Sequence, residues 1–180
     1  PSHGTIFKNP NWIIEKYKKW SGNLYENKVL IIYVSMHKST EILADYLYNS
    51  LSKKINVKKF NLSKSDLGKI AIELIDSPSL IIGTPCMLSG IHPKVADTLY
   101  LINLLRPKIK LVGLFGSYGW SEGINKEVSG FLKNINAEIL PPVFSKGMPS
   151  EKEFKELEEL SEKIFQNHKK MKLENQFILK

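Results

Sequence analysis

Three short runs of branched and aliphatic residues dominate this sequence: Val29-Leu30-Ile31-Ile32-Tyr33-Val34, Leu80-Ile81-Ile82-Gly83 and Leu111-Val112-Gly113-Leu114-Phe115. None alternates apolar with polar as a strand with one wet face does, so each reads as a strand covered on both faces, as in a parallel sheet. Between the runs the period becomes helical. Ile42, Leu43, Tyr46, Leu47 and Leu51 recur at helical spacing after the first run. Pro93, suited to the first turn of a helix, precedes Val95, Ala96, Leu99, Ile102 and Leu105. A weaker strand around Val57–Leu62 carries lysines that suit a sheet edge, and a short helical stretch covers Asp66–Ile75. After the third run come a helix through Ile124, Val128, Phe131 and Leu132 and a short strand near Ala137–Leu140. The Pro141-Pro142 pair is expected to end that strand. The last helix opens on a capping box, Ser150-x-x-Glu153, and packs through Leu157, Leu160, Ile164 and Phe165.

Five strands alternating with helices imply right-handed crossovers and a doubly wound α/β sheet. The expected architecture is a five-stranded parallel sheet of order 2-1-3-4-5 with helices on both faces. Its ligand crevice lies at the carboxyl ends of strands 1, 3 and 4. The loops after Val34, Gly83 and Phe115 are therefore the places to look for chemistry.

Composition narrows the class further. The 180 residues suffice for one such domain and a short appendage. No apolar run approaches the roughly 18–20 residues of a membrane-spanning helix, and the amino terminus lacks the pattern of a secretory signal. The single cysteine, Cys86, excludes an internal disulfide and fits a reducing cytoplasm. The net charge of +8 is almost entirely lysine, with Arg106 the only arginine. Nucleic-acid recognition leans on bidentate arginine, and these lysines are spread along amphipathic segments. They read as a solvated surface, with attraction of an acidic redox partner as the second reading.

The first loop, Ser35-Met36-His37-Lys38-Ser39-Thr40, sets three hydroxyls at a helix start, where backbone N–H groups and the helix dipole favour a phosphate. The plainer reading is that Ser39 or Thr40 caps the helix. Neither Gly-x-x-x-x-Gly-Lys nor Gly-x-Gly-x-x-Gly is present, which argues against nucleotide hydrolysis and an ordinary dinucleotide fold. The second loop, Gly83 to Pro93, is long for a strand-to-helix connection. Its Met87 and Leu88 would be costly if simply exposed and suit a position against a planar ring. Cys86 reads as a small packing residue, since no group to activate a nucleophile is visible. His92, just before a helix, suits a surface or hydrogen-bonded role. The third loop, Phe115-Gly116-Ser117-Tyr118-Gly119-Trp120-Ser121-Glu122-Gly123, puts aromatic residues between glycines, giving close backbone access and a stacking surface together.

Three motifs taken together resemble the flavodiiron proteins, or A-type flavoproteins, in their flavodoxin-like half. They are Ser-Met-x-x-Ser-Thr-Glu at Ser35–Glu41, Gly-Thr-Pro at Gly83–Pro85 with Gly90 and Pro93 behind it, and Gly-Ser-Tyr-Gly-Trp-Ser at Gly116–Ser121. The likeness runs from Lys28 to about Lys169. It implies a flavodoxin-like fold holding one flavin mononucleotide (FMN). Ser35, Met36, His37, Lys38, Ser39 and Thr40 would lie around the flavin phosphate. Thr84, Pro85, Cys86, Met87, Leu88 and Gly90 would border the ring and ribityl chain, and Ser117, Tyr118, Gly119 and Trp120 would close the other side. The chain departs from the family at His37-Lys38, where members often have an aromatic-glycine pair. A lysine there meets a backbone angle that glycine takes freely.

Pro1-Ser2-His3-Gly4, followed by Trp12, Ile13, Tyr17 and Trp20, resembles the segment that ends the metallo-β-lactamase-like di-iron domain of complete members. By that resemblance His3 matches an iron ligand. The expected division is residues 1–27 as the end of that domain with a linker helix, 28–168 as the FMN-binding domain, and 169–180 as a polar tail. A lone histidine in a glycine-bearing loop is weak ground for a metal. The chain's other histidines, His37, His92 and His168, form no ligand cluster with acids nearby. A di-iron centre would belong to the complete protein, with ligands from elsewhere.

The resemblance implies an oxidoreductase passing electrons from a reduced donor through FMN to a di-iron site that reduces dioxygen or nitric oxide. The donor would be a small iron protein, a deazaflavin coenzyme or a nicotinamide-linked reductase, and the complete protein a homo-oligomer. Two alternatives stay open: a free-standing flavodoxin-like shuttle, which would begin near Lys28, and a flavin-free interaction module of the same shape. A phosphorelay receiver is excluded by the lack of an acidic cluster at the strand ends.

Overall fold

The computed structural model describes residues 8–22, 25–120, 124–171 and 173. The first helix, α1 (Pro10–Ser21), is capped by Asn9, whose side chain accepts the Trp12 amide at 3.2 Å, and it has proline at its start. Beyond it, β1 (Lys28–Tyr33) is buried at every position: Val29–Tyr33 form the apolar run, and the Lys28 ammonium is paired with Asp76 and with Glu73 at 2.8 Å. Next come α2 (Ser39–Leu51), β2 (Asn56–Asn61), α3 (Leu67–Leu74) and β3 (Ser79–Met87). The chain continues through β4 (Gly90–Ile91), α4 (Pro93–Leu105), β5 (Leu111–Tyr118) and α5 (Ile124–Phe131). It closes with β6 (Glu138–Ile139), β7 (Val143–Lys146) and α6 (Glu151–Lys170).

The parallel strands run β2-β1-β3-β5, with β6 and β7 both on the far side of β5. Taking β6 and β7 as one interrupted strand, this is the expected 2-1-3-4-5 order of a flavodoxin-like sheet. The Pro141-Pro142 pair interrupts this strand rather than ending it. β6 pairs with Leu111–Val112, and β7 resumes opposite Phe115–Tyr118. Prolines are tolerated there because the strand is an edge, where a missing N–H leaves no partner unsatisfied. The Gly83–Pro93 segment also differs from the long loop expected. β3 continues to Met87, and β4 folds back on it with Cys86 opposite Ile91 and Met87 opposite Gly90.

Alternate residues of the strands feed two cores. On one face Leu30, Ile32, Leu80, Ile82, Val112 and Leu114 pack beneath α3, α4 and α5. On the other, Val29, Ile31, Ile81, Leu111 and Phe115 pack beneath α2 and α6. Each such side chain stabilises by roughly 1.5–3 kcal/mol. An exposed ion pair such as Lys54–Glu162, at 2.9 Å, adds little by comparison, because water and salt screen it. The core therefore sets the fold. The last helix starts as expected, with the Ser150 amide donating to Glu153 at 2.8 Å, and the Ser150 hydroxyl and amide together hold the Glu153 carboxyl below its usual range.

Candidate functional site

The carboxyl ends of β1, β3 and β5 open onto a cleft of about 490 Å³, within the usual range for a small-molecule site. Three walls surround it. One is the loop from β1 to α2, through Met36, His37 and Ser39. The second is the β3–β4 hairpin from Pro85 to Ser89, and the third is the end of β5 from Ser117 to Trp120. Gly147, just past β7, completes the lining.

The first wall is built around a helix start that its own side chains leave open. Side chains cap the helices that begin at Pro10, Leu67 and Pro93, through Asn9, Asp66 and His92. At α2 the capping position is Lys38, at φ 68° and with no side-chain cap bond. Ser39 and Thr40 lie inside the helix instead and bond elsewhere. Ser39 Oγ donates to Met148 Sδ at 3.3 Å, and Thr40 Oγ1 lies 3.2 Å from Ser117 Oγ, tying the first wall to the third. Ser35 Oγ is the one buried side-chain oxygen or nitrogen among the described residues without a hydrogen-bond partner. A buried hydroxyl left so costs about 1–3 kcal/mol. An anionic ligand group is a natural partner for it, together with the free N–H groups of the α2 start.

The second wall is a strained hairpin. Its two-residue tip, Leu88-Ser89, has φ of 49° and 65°, the signs of a type I′ turn, without the Asn-Gly pair that such a turn favours. Each left-handed non-glycine residue costs about 1–2 kcal/mol. Strain of this kind concentrates at ligand sites. Leu88 is 85% exposed at the tip, and across the cleft Trp120 is 87% exposed. Two large apolar side chains held out in water beside a cleft invite a flat partner between them.

Several expected site residues support the cleft from behind. Thr84 is fully buried, donating to the Pro85 carbonyl at 3.0 Å and accepting the His92 amide at 3.2 Å. His92 Nδ1 in turn accepts the Lys94 amide at 3.2 Å, and burial holds its imidazole below the usual histidine range. Gly90 faces Glu127 instead of the cleft: a Cβ there would lie 2.9 Å from Glu127 Oε2. Of the expected set, Met36, His37, Ser39, Pro85, Cys86, Met87, Leu88, Ser117, Tyr118, Gly119 and Trp120 line the cleft. Ser35, Lys38, Thr40, Thr84 and Gly90 frame it without lining it.

Ser89 and Gly147 also line it and were not expected. Gly147 has φ 77°, donates its amide to the Tyr118 carbonyl at 2.9 Å, and follows a strand that the proline pair hid. The available signal was Lys146-Gly147 four residues beyond that pair. His3 lies outside the described residues. Among the described residues no three His, Cys, Asp or Glu side chains converge as a metal site, and no helix is long and apolar enough to cross a membrane.

No protein-family profile matches the chain. Individual relatives do. The anaerobic nitric oxide reductase flavorubredoxin of Vibrio vulnificus is 32% identical over 167 residues, which are 91% of this chain and 34% of that protein. Among solved structures, the rubredoxin:oxygen oxidoreductase of Desulfovibrio gigas matches with a TM-score of 0.83 and 31% identity, over 89% of this chain and 40% of its own. A flavo di-iron protein of Thermotoga maritima, solved as a point mutant, matches with a TM-score of 0.71 and 26% identity, over 93% and 41% respectively. This chain thus spans about a third to two fifths of each relative. Over that span it belongs with the flavodiiron proteins, as the counterpart of their flavodoxin-like part.

Proposed function

We propose that the cleft holds one FMN and that this chain is an electron-transfer module. Its flavin would take electrons from a reduced donor and pass them to a di-iron site, in another domain or chain, that reduces dioxygen or nitric oxide. The single observation that carries the reading is the partnerless buried Ser35 hydroxyl in the loop before the uncapped start of α2, a loop whose Met36 and His37 line an apolar cleft. These are complementary needs: a hydroxyl and N–H donors for a phosphate, and apolar walls for a ring.

In this reading Ser35, the α2 N–H groups, Ser39 and Thr40 hold the phosphate, with the Lys38 charge close by. Met36 belongs with this phosphate loop; Pro85, Cys86, Met87 and Leu88 flank the ring on one side, and Ser117, Tyr118, Gly119 and Trp120 on the other. His37 stands at the edge of the first wall, and Thr84 and Gly90 keep the second wall in place. Bound flavin supplies the ability to accept an electron pair and release single electrons. The protein's own part is to hold the ring, keep water from its faces with Leu88 and Trp120, and fix the dipoles around it.

Residues 1–27 are read as the end of a di-iron domain and a linker, with His3 as an iron ligand completed by residues from elsewhere. The complete protein is read as a homo-oligomer served by a small iron protein, a deazaflavin coenzyme or a nicotinamide-linked reductase. The relatives named as a nitric oxide reductase and an oxygen oxidoreductase support the class of chemistry.

The test is a visible spectrum of the purified chain after loading with FMN and desalting. Stoichiometric flavin bands that bleach with dithionite support the reading. A colourless protein overturns it and favours the second reading, a flavin-free interaction module. One observation keeps that second reading in play: Lys38 holds a left-handed backbone angle at the phosphate loop.

A further inference from the structure

One wall of the cleft, the β3–β4 hairpin, is held from outside the cleft by a single side chain of α5. The β3–β4 hairpin is short: β4 has two residues, and its tip has an unfavourable composition for its backbone. A hairpin of this size is marginal by itself. In a two-residue hairpin the pair next to the turn, here Met87 and Gly90, exchanges hydrogen bonds. The next pair, Cys86 and Ile91, turns its N–H groups outward. The outward Ile91 amide donates to Glu127 Oε2 at 2.8 Å. Glu127 sits in the first turn of α5, the helix that follows the Ser117–Trp120 wall along the chain. Gly90 leaves room for this carboxylate, because a Cβ there would lie 2.9 Å from Oε2.

We propose that Glu127 is a positioning residue: by accepting the Ile91 amide it fixes the Met87–Gly90 hairpin against α5, and so sets where this wall stands at the cleft and its hold on a flavin. The consequence for the flavin rests on the FMN reading above, whereas the clamp itself does not. A carboxylate accepting a backbone N–H makes a charge-assisted bond, stronger than a neutral one. It also acts at a hairpin amide whose direction leaves it free of β3. The interaction ties the hairpin to α5, whereas the Thr40–Ser117 contact ties the first wall to the third.

The experiment uses the whole chain and two readouts: hydrogen exchange of the Ile91 amide, and the dissociation constant for FMN. Glu127→Ala should speed Ile91 exchange at least tenfold and weaken FMN about tenfold, while Glu127→Gln, which keeps an acceptor oxygen, should stay within about threefold on both. Gly90→Ala should reproduce the Glu127→Ala effects in the natural background and add nothing in a Glu127→Ala background. This non-additivity is the signature of a shared contact. Unchanged Ile91 exchange in Glu127→Ala, or additive effects of the two substitutions, would overturn the clamp. Faster exchange with unchanged FMN affinity would leave the hairpin clamped but overturn its role in flavin binding. If the natural chain retains no FMN, the flavin reading falls along with that role, and Ile91 exchange still decides the clamp.

Discussion

His168 Nε2 lies 2.6 Å from Ser79 Oγ, fastening the last turns of α6 to the foot of the central strand β3. The other ring nitrogen lies 2.8 Å from Asn27 Oδ1, so the imidazole bridges the start of two neighbouring strands. Burial pushes its pKa down to about 4. The unfolded chain has an ordinary histidine near 6.5 and therefore binds the proton first as pH falls. Stability should be level above about pH 6.5, decline between there and about pH 4, and lose about 3 kcal/mol across that window from this group. Urea midpoints measured from pH 8 to pH 4 check this. His168→Gln should flatten that part of the profile, and an unaltered slope in the variant would assign the acid sensitivity elsewhere.

Lys38 is expected to cost stability through its backbone alone. Lys38→Gly should stabilise the flavin-free chain by about 1 kcal/mol, because glycine accepts φ 68° without a Cβ penalty. Lys38→Ala keeps the Cβ and should bring no such gain. Equal midpoints for the two variants in chemical denaturation would show that the turn is unstrained.

Ser35 separates stability from binding. Removing its orphaned hydroxyl in Ser35→Ala should leave the flavin-free chain as stable or about 1 kcal/mol more so, and should weaken FMN about tenfold. A thermal melt without flavin and a flavin fluorescence titration give the two numbers. An unchanged affinity would remove Ser35 from the phosphate site.

The two glycines that flank Ser117 and Tyr118 should behave oppositely. A Cβ on Gly116 would overlap the Thr84 carbonyl oxygen of the adjacent strand, whereas one on Gly119 would meet nothing within 4 Å. Gly116→Ala should therefore cost at least about 3 kcal/mol, and Gly119→Ala should stay within about 0.5 kcal/mol. Comparing soluble yield and melting temperature of the pair is sufficient.

The parts of this fold that could be read from residue order were those with a strong local cause. Val29–Val34, Leu80–Ile82 and Leu111–Phe115 are buried on both faces and announce it by lacking alternation. Once they were ordered, the sheet topology pointed to their carboxyl ends, and eleven expected residues line the cleft there. What escaped depended on neighbours distant in sequence. Pro141-Pro142 looked terminal because a proline's cost depends on which side of the strand is paired, and that is decided by β5. Misreading it concealed Gly147 and Met148. Leu88-Ser89 lacks turn-forming residues, so the hairpin was hidden as well. It is supported by Glu127, whose approach no local pattern announces. The uncapped start of α2 ran opposite to the ordinary expectation that Ser39 or Thr40 would cap it.

The interrupted edge strand has one more consequence. A sheet grows or aggregates by adding a strand along a row of unpaired N–H and C=O groups, and that row needs to be continuous. On the β6–β7 side, two prolines stand between the paired segments, where neither has an N–H to offer. On the opposite edge, β2 carries Lys58 and Lys59, and Lys59 also pairs with Asp45. Neither margin offers another chain a clean template. The fold is thereby protected against runaway self-association through its sheet, and its loops and helices are left as the surfaces for reversible, specific assembly.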